Sequence, residues 1–354
     1  MNEKTITVSI GEQTLSFSTG KVARQAGGAV LVTAGETVVL ATACASYGST
    51  DADFLPLRID YTERFSSAGK TLGGFLKREG RPTEREILTC RLIDRPLRPM
   101  FPDGYFHDTQ VIASVLSYDG ANQPEPLAIC AASAALSLSD VPMTKPVGAV
   151  RVGMIDGAFV INPTREQMAE SKLDLMLAGT HDAILMIEGF CDFLTEEQLL
   201  EAVETGHKAI AAICEALSSW QAEAGKAKRL DVVRPVYQTL YEAVKKAMEE
   251  ALPTVVETSD KKAREAAQRE LDSSVLEQLG ADKSHTEIID IKRAIKKVTS
   301  HAMRTLILKD RKRCDGRALD EIRPISIDTG FLPRPHGSVL FTRGETQALA
   351  VCTL

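Results

Sequence analysis

The sequence predicts an α+β protein in three parts: a strand-rich domain, an all-helical domain, and the opening of a second strand-rich copy. Three observations predict it. Strand-type alternation dominates residues 1–218, and helix-favouring segments fill 227–312. Strand texture then returns over 313–354, and it returns as a repeat. "GAVLVTAGETVVLA" (28–41) aligns without gaps to "GSVLFTRGETQALA" (337–350), with nine of fourteen positions identical at a spacing of 309 residues. Just upstream, Thr19-Gly20 and Arg24 match Thr329-Gly330 and Arg334 with one residue of slippage.

The elements follow in order. Ile6, Val8 and Ile10 alternate, then GEQ, then Leu15 and Phe17, which reads as a hairpin with one buried face. AVLVT and TVVLATA flank a second turn at Ala34–Glu36, and VIASVLSY (111–118) is a further strand. LAICAASAALSLS (127–139) is apolar nearly all round, so it reads as a buried helix. Hairpins are expected at 147–161 around Asp156-Gly157, and at 173–178 with 184–187. Leu199, Val203, Ile210, Ile213 and Leu217 fall at helical spacing. In the helical part, Ile288, Ile291, Ile295, Val298 and Ala302 form an amphipathic stripe. The second copy stops at "QALAVCTL", about 40 residues into a unit whose first copy takes roughly 215, so the chain reads as a fragment of a longer protein.

Composition narrows the function classes. With 44% apolar and 25% charged residues the chain is an ordinary globular one. A net charge of −6 excludes a uniformly basic nucleic-acid coat and leaves only a local patch, loop or channel. Seven cysteines, odd in number and without a CxxC, fit reduced thiols in a cytoplasmic protein. MNEKTITVSI has no signal-peptide core, and no apolar run approaches a membrane span.

One segment stands against the acidic background. From Phe75 to Arg98 there are seven bases and four acids. Gly73-Gly74, Gly80 and Pro82 make 73–82 a loop, and Thr83 with Glu86 forms a capping box that starts a helix at Glu84. That helix is expected to end before Pro96, with Arg98 held extended between two prolines. Arg91 and Arg95 lie one turn apart. A basic loop tip with one aromatic, backed by arginines, suits single-stranded nucleic acid, because cations neutralise phosphates and a ring stacks on a base. The competing reading is a salt-bridged surface helix in which Glu84, Glu86 and Asp94 pair with these bases.

Other signals are weaker. Gly69-Lys70-Thr71 imitates a phosphate loop, but Arg64 stands where its first glycine is required. The run Lys292–Arg313 holds nine bases and one acid, and the apolar stripe explains it as a solvated helix face; RNA contact is the alternative. The six histidines show no ligand spacing. Asp174 reads as a cap or salt-bridge residue, with a metal ligand as the weak alternative.

"DYTERFSSAGKTLGGFLKREGRPTEREILTCRLIDRPLRPMFPDGY" resembles the first RNase PH domain of the polynucleotide phosphorylase family. "SKLDLMLAGTHDAILMIEG" and "RCDGRALDEIRPISIDTGFLPRPHGSVLFTRGETQALA" are similar to its later landmarks, in the right order. The resemblance implies RNase PH-like domains at 1–218 and from 313 onward, with the helical domain at 227–312 between them. It implies phosphorolytic 3′-to-5′ degradation of single-stranded RNA to nucleoside diphosphates, as in mRNA turnover. Inorganic phosphate, Mg²⁺ with ligands beyond residue 354, a homotrimeric ring and other RNA-degradation proteins are its expected partners. RNA-binding residues are then Phe75, Lys77, Arg78, Arg81, Arg91, Arg95 and Arg98, at the neck of the ring's channel.

The sequence departs from the family's pattern in places. Where many members carry two phenylalanines and two arginines, it has Phe75, Leu76, Lys77 and Arg78. Gln123, Pro124 and Glu125 replace the phosphate-holding serines of the family's active copy. Of a metal-binding aspartate pair and a nearby lysine only Asp174 remains, with Met168 and Met176 at the other places. No catalytic set is complete in this chain, which is expected to bind RNA without turnover. A non-catalytic ring subunit that only guides RNA is the rival; a single-copy trimming enzyme is disfavoured by the repeat.

Overall fold

The computed structural model describes residues 3–73, 75, 77–235 and 238–354. The chain forms two compact units, Met1–Pro235 and Val236–Leu354. The first begins with β1 (Lys4–Ile10), β2 (Gln13–Thr19), β3 (Gly28–Ala34) and β4 (Thr37–Ser49), each paired antiparallel with the next. β5 (Leu57–Glu63) and β6 (His107–Ser117) complete a six-stranded sheet in the order β1-β2-β3-β4-β6-β5, with β5 parallel to β6. Alternation decides which side chains turn inward: Val30, Val32 and Ala34 on β3, and Val39, Ala41 and Ala43 on β4, are all fully buried.

Between β5 and β6 lies α1 (Glu84–Leu97), and after β6 comes α2 (Pro124–Leu138). Every residue of α2 is buried. Its alanines let it lie close against β3 and β4: a Cβ added at Gly28 would stand 2.0 Å from the Ala135 carbonyl oxygen. A second sheet packs on the other side of α2, in the order β10-β9-β7-β8. It is built from β7 (Gly148–Ile155), β8 (Ala158–Ile161), β9 (Leu173–Gly179) and β10 (Ile184–Cys191), with α3 (Arg165–Glu170) between β8 and β9. The long α4 (Glu196–Ala224) covers β7 and β9 and carries the single tryptophan, Trp220, edge-on to Phe17. One continuous apolar core joins both sheets, α2 and α4.

In the second unit, α5 (Gln238–Met248), α6 (Leu252–Glu257), α7 (Lys261–Gly280) and α8 (His285–Asp310) enclose a core that includes Val244, Met248, Val275, Ile291, Ile295 and Val298. After them β11 (Ile325–Thr329), β12 (Gly337–Arg343) and β13 (Thr346–Cys352) form a three-stranded antiparallel sheet.

The structure corrects the expected picture in four places. The helix α1 does not end before Pro96. It runs through Leu97 and continues as a 3-10 turn over Arg98–Met100, so Arg98 is helical rather than extended. Proline costs α1 one hydrogen bond close to its end, and the Asp94–Arg98 pair one turn apart rewards continuing the helix. The strand β5 was not anticipated, although Leu57, Ile59 and Tyr61 alternate. The buried strip of α8 includes Ile289, while Ile288 is only half-buried. Arg293, expected on the solvated face of α8, is buried and faces Asp290 at 3.1 Å.

Candidate nucleic-acid interface

The basic segment is carried by α1 and the loop before it. Thr83 caps α1 as the sequence indicates: its hydroxyl accepts from the Glu86 N–H at 3.2 Å, and the Glu86 carboxylate accepts from the Thr83 N–H at 2.7 Å. Glu86 also accepts from the Glu63 N–H at 2.9 Å, which fastens the start of α1 to the end of β5. Burial alone would raise the Glu86 carboxyl, but the N–H groups of Glu63 and Thr83 outweigh it and hold the group below its ordinary range. Thr89, Ile93, Pro96 and Leu97 face the core. Arg91 and Arg95 project from the exposed side.

The arginines of α1 divide into two kinds. Arg98 is committed to the fold. Its guanidinium donates to Asp94 at 2.6 and 2.9 Å, to the Leu55 carbonyl at 2.8 Å and to the Leu57 carbonyl at 3.1 Å. Arg95 pairs with Glu188 at 2.6 Å, with both side chains about half exposed, so the pair contributes about 0–1 kcal/mol and is open to competition. Arg91 has no ion-pair or hydrogen-bond partner among the described residues. Together with Ile59, Cys90 and Asp94 these arginines line an open groove of about 600 Å³.

The loop behaves differently from a salt-bridged surface. Its one acid, Glu79, is turned back to Arg64 and accepts from the Phe65 N–H. Asp94 is spent on Arg98, and Glu86 on backbone N–H groups. Lys77, Arg78 and Arg81 are exposed and have no partner among the described residues. Phe75 is 100% exposed, an expensive position for an aromatic ring. Of the acids assigned to internal pairing, Asp94 does pair within the segment, with Arg98, Glu86 is taken by backbone N–H groups, and Glu84 has no ion-pair partner among the described residues, so four cations (Lys77, Arg78, Arg81 and Arg91) stay available to an anionic polymer. Gly74 and Leu76, and with Leu76 its place in the departing Phe-Leu-Lys-Arg motif, lie outside the described residues.

A second cluster was not visible in the sequence. Arg85, one turn before Thr89, reaches from α1 to the amino end of α2. Its Nη2 lies 2.6 Å from Glu125 Oε1, and its Nε lies 3.4 Å from Glu63 Oε1. Tyr61 donates to the same Glu63 oxygen at 2.8 Å. Burial first, and then the Glu63 carboxylate, push the Tyr61 hydroxyl far above its ordinary range. For Arg85, burial pulls down, but the carboxylates of Glu125 and Glu63 outweigh it and hold the guanidinium charged. Local pattern offers Glu125 as an acid in the first turn of a helix, and the family resemblance offers it as a replacement for a phosphate-holding serine; neither names Arg85 as its partner.

Asp174 opens on β9 beside Arg151, whose Nε lies 3.1 Å from its Oδ1, an ion pair without the alignment of a hydrogen bond. Met176 is buried in the core. Among the described residues no three His, Cys, Asp or Glu side chains gather to hold a metal ion. The donor set around Asp174, one carboxylate already facing an arginine, does not fit a divalent cation.

Comparison with known proteins places this arrangement. Residues 12–142 match domain 1 of the 3′ exoribonuclease family, and residues 145–209 match its domain 2. Residues 239–318 match the polyribonucleotide nucleotidyltransferase RNA binding domain. The polyribonucleotide nucleotidyltransferase of Protochlamydia amoebophila (strain UWE25) is 55% identical over 357 residues, covering 100% of this chain and 51% of the relative. That of Chlamydia pneumoniae is 54% identical over 356 residues, with the same coverage. The crystal structure of rice (Oryza sativa) Rrp46 aligns with a TM-score of 0.46 at 17% identity, covering 58% of this chain and 94% of that one. The chain spans about half the length of the curated relatives it matches, in agreement with the expectation of a part of a longer protein. By its family matches and its similarity to these enzymes along the whole of this chain, the chain belongs to the 3′ exoribonuclease family and carries the domain order of a polyribonucleotide nucleotidyltransferase.

Proposed function

We propose that the whole protein is a phosphorolytic 3′-to-5′ exoribonuclease, and that this chain is its RNA-guiding and scaffold portion. In that reaction inorganic phosphate attacks the terminal phosphodiester of single-stranded RNA and releases a nucleoside diphosphate. Residues 1–218 act as the first RNase PH-like domain, 227–312 as the helical domain and 313–354 as the start of the second copy. Inorganic phosphate, Mg²⁺, a homotrimeric ring and a cytoplasmic setting belong to the whole protein. The residues of this chain do not fit the metal, so no step here runs through it.

One observation carries the proposal: an exposed Phe75 sits among Lys77, Arg78 and Arg81 on a loop whose only acid is tied away. Each cation that meets a phosphate releases counterions, and a ring stacks on a base with about 1–3 kcal/mol, whatever its sequence. Arg91 continues the charged path on α1, and Arg95 joins it when RNA displaces Glu188. Arg98 contributes by holding the end of α1 against the segment before β5, a positioning role beside the RNA-binding role expected of it.

The test is an oligoadenylate assay with inorganic phosphate and Mg²⁺, read as ADP. The full-length protein is expected to release ADP, and failure to do so would overturn the enzymatic assignment. The 354-residue chain is expected to retain RNA without releasing ADP. Sustained release by the chain that disappears in Asp174→Asn would show that the first copy is catalytic, against this proposal.

A further inference from the structure

The first unit has an apolar face apart from the basic segment. The order β10-β9-β7-β8 leaves β10 as an edge strand, and α4 packs on β7 and β9. Between the edge strand and α4 runs an open groove of about 580 Å³. Leu173 and Leu175 are buried along it, while Ile187, Phe190 and Leu200 are exposed. Phe190 is 70% and Leu200 65% exposed, so neither side chain contributes much to the core. A cluster of apolar side chains left in water marks a contact surface, and an edge strand adds a row of backbone N–H and C=O groups open to pairing.

The charges beside the groove are of one sign. Among the described residues, the only charged side chain lining it is Glu196. Asp192, Glu196, Glu197, Glu201 and Glu204 are exposed, and none has an ion-pair partner among the described residues. Glu196 and Glu197 suit the amino end of α4. Glu201 and Glu204 lie beyond that first turn, and Glu197 and Glu201 repel each other one turn apart. Glu196, Leu200 and Glu204 follow at four-residue steps, so acid, apolar and acid share one stripe of the helix. RNA is repelled from such a face, and a second copy of this chain would set the same acids against one another.

We propose that this face docks an extended segment of a partner protein, apolar in its middle and flanked by lysine or arginine. The segment adds as a strand to β10, its apolar side chains fill the groove, and its cations meet the unpaired acids of α4. The inference stands apart from the enzymatic reading, and its test involves neither RNA nor ADP.

The experiment is fluorescence anisotropy of a labelled synthetic peptide, valines flanked by lysines, titrated with the 354-residue chain. The control peptide has glutamates in place of the lysines. Saturable binding of the lysine peptide is expected, at least about tenfold tighter than the control, a difference of about 1.4 kcal/mol. Leu200→Asp is expected to weaken it at least about tenfold. That variant adds an acid, so mere attraction of a cationic peptide to an acidic protein would rise instead. Glu201→Gln combined with Glu204→Gln is expected to weaken binding by up to about fivefold, as exposed ion pairs do. Leu200 and both glutamates are exposed, so these variants keep the core intact. Equal binding of the two peptides would overturn the proposal, as would binding to Leu200→Asp as tight as to the parent. A two-chain assembly in sedimentation that Leu200→Asp dissolves would also overturn it, by showing a second copy in the groove.

Discussion

The hairpin of β3 and β4 and the hairpin of β12 and β13 carry nearly one sequence in two surroundings. Both turn through glycine at the first central position, with φ of 57° at Gly35 and 59° at Gly344. Their registers correspond, Ala34 opposite Thr37 and Arg343 opposite Thr346. The first is walled in by α2 and by β6, and its inward side chains are fully buried. In the second, every residue of β13 is exposed. Gly28 is forced by the approach of α2; at the matching Gly337 an added Cβ would meet only Cys352 Cβ, at 3.4 Å. Turn chemistry and alternation thus decide hairpin and register locally, while burial and its energy come from the helix and strands that pack on top.

That contrast can be broken most forcefully at a matched pair of positions, Val39 and Ala348. Val39→Asp places an unpaired carboxylate in the core of the first unit and is expected to cost more than about 4 kcal/mol. Ala348→Asp is expected to stay within about 0.5 kcal/mol of the parent. Denaturant unfolding measures both, with Trp220 fluorescence following the first unit and the part of the helical circular dichroism change that does not coincide with it following the second. Equal losses at the two positions would break the comparison.

A smaller effect separates the two turns. In the first, Asp119 accepts from the Glu36 N–H at 3.2 Å, from the Ala121 and Asn122 N–H groups at 2.8 Å each, and from the Asn122 amide at 2.6 Å. Burial would raise its carboxyl, but the Asn122 and Ala121 donors outweigh burial and hold it well below the ordinary range. A folded value below the unfolded one means that the contribution is complete above about pH 5 and is lost as pH falls through the folded value. Asp119→Ala should therefore cost about 1–3 kcal/mol at neutral pH. The gap to the parent should narrow below about pH 4. Unfolding midpoints of parent and variant across that range check it; a gap independent of pH would contradict the role assigned to Asp119.

Much of this architecture is written in local pattern. The hairpins, the all-apolar α2 and the capping box at Thr83 depend on residues within a few positions of each other, and the structure has them where the pattern places them. What escaped depends on distance. β5 carries only a short local alternation at Leu57, Ile59 and Tyr61, and its parallel pairing with β6, some fifty residues on, is what makes it a strand. The end of α1 was misplaced because Pro96 was weighed without the Asp94–Arg98 pair that carries the helix past it. In the basic segment the charge was legible, but its availability was not. Only geometry shows that Glu79 goes to Arg64, that Arg98 is spent on Asp94 and two carbonyls, and that Arg85 goes to Glu125, forty residues away.

The most direct test of the account is the salt dependence of oligoadenylate binding to the chain, parent against the combined Lys77→Ala, Arg78→Ala and Arg81→Ala variant. Each phosphate contact contributes about 0.7 to the slope of log affinity against log salt for a single strand. Weaker binding at low salt and a slope shallower by about 2 are expected when all three contacts are lost. Phe75→Ala, run alongside, should weaken binding by about 1–3 kcal/mol with the slope unchanged, because stacking releases few ions. Unchanged affinity and slope in the triple variant would contradict the account and leave the loop a solvated surface.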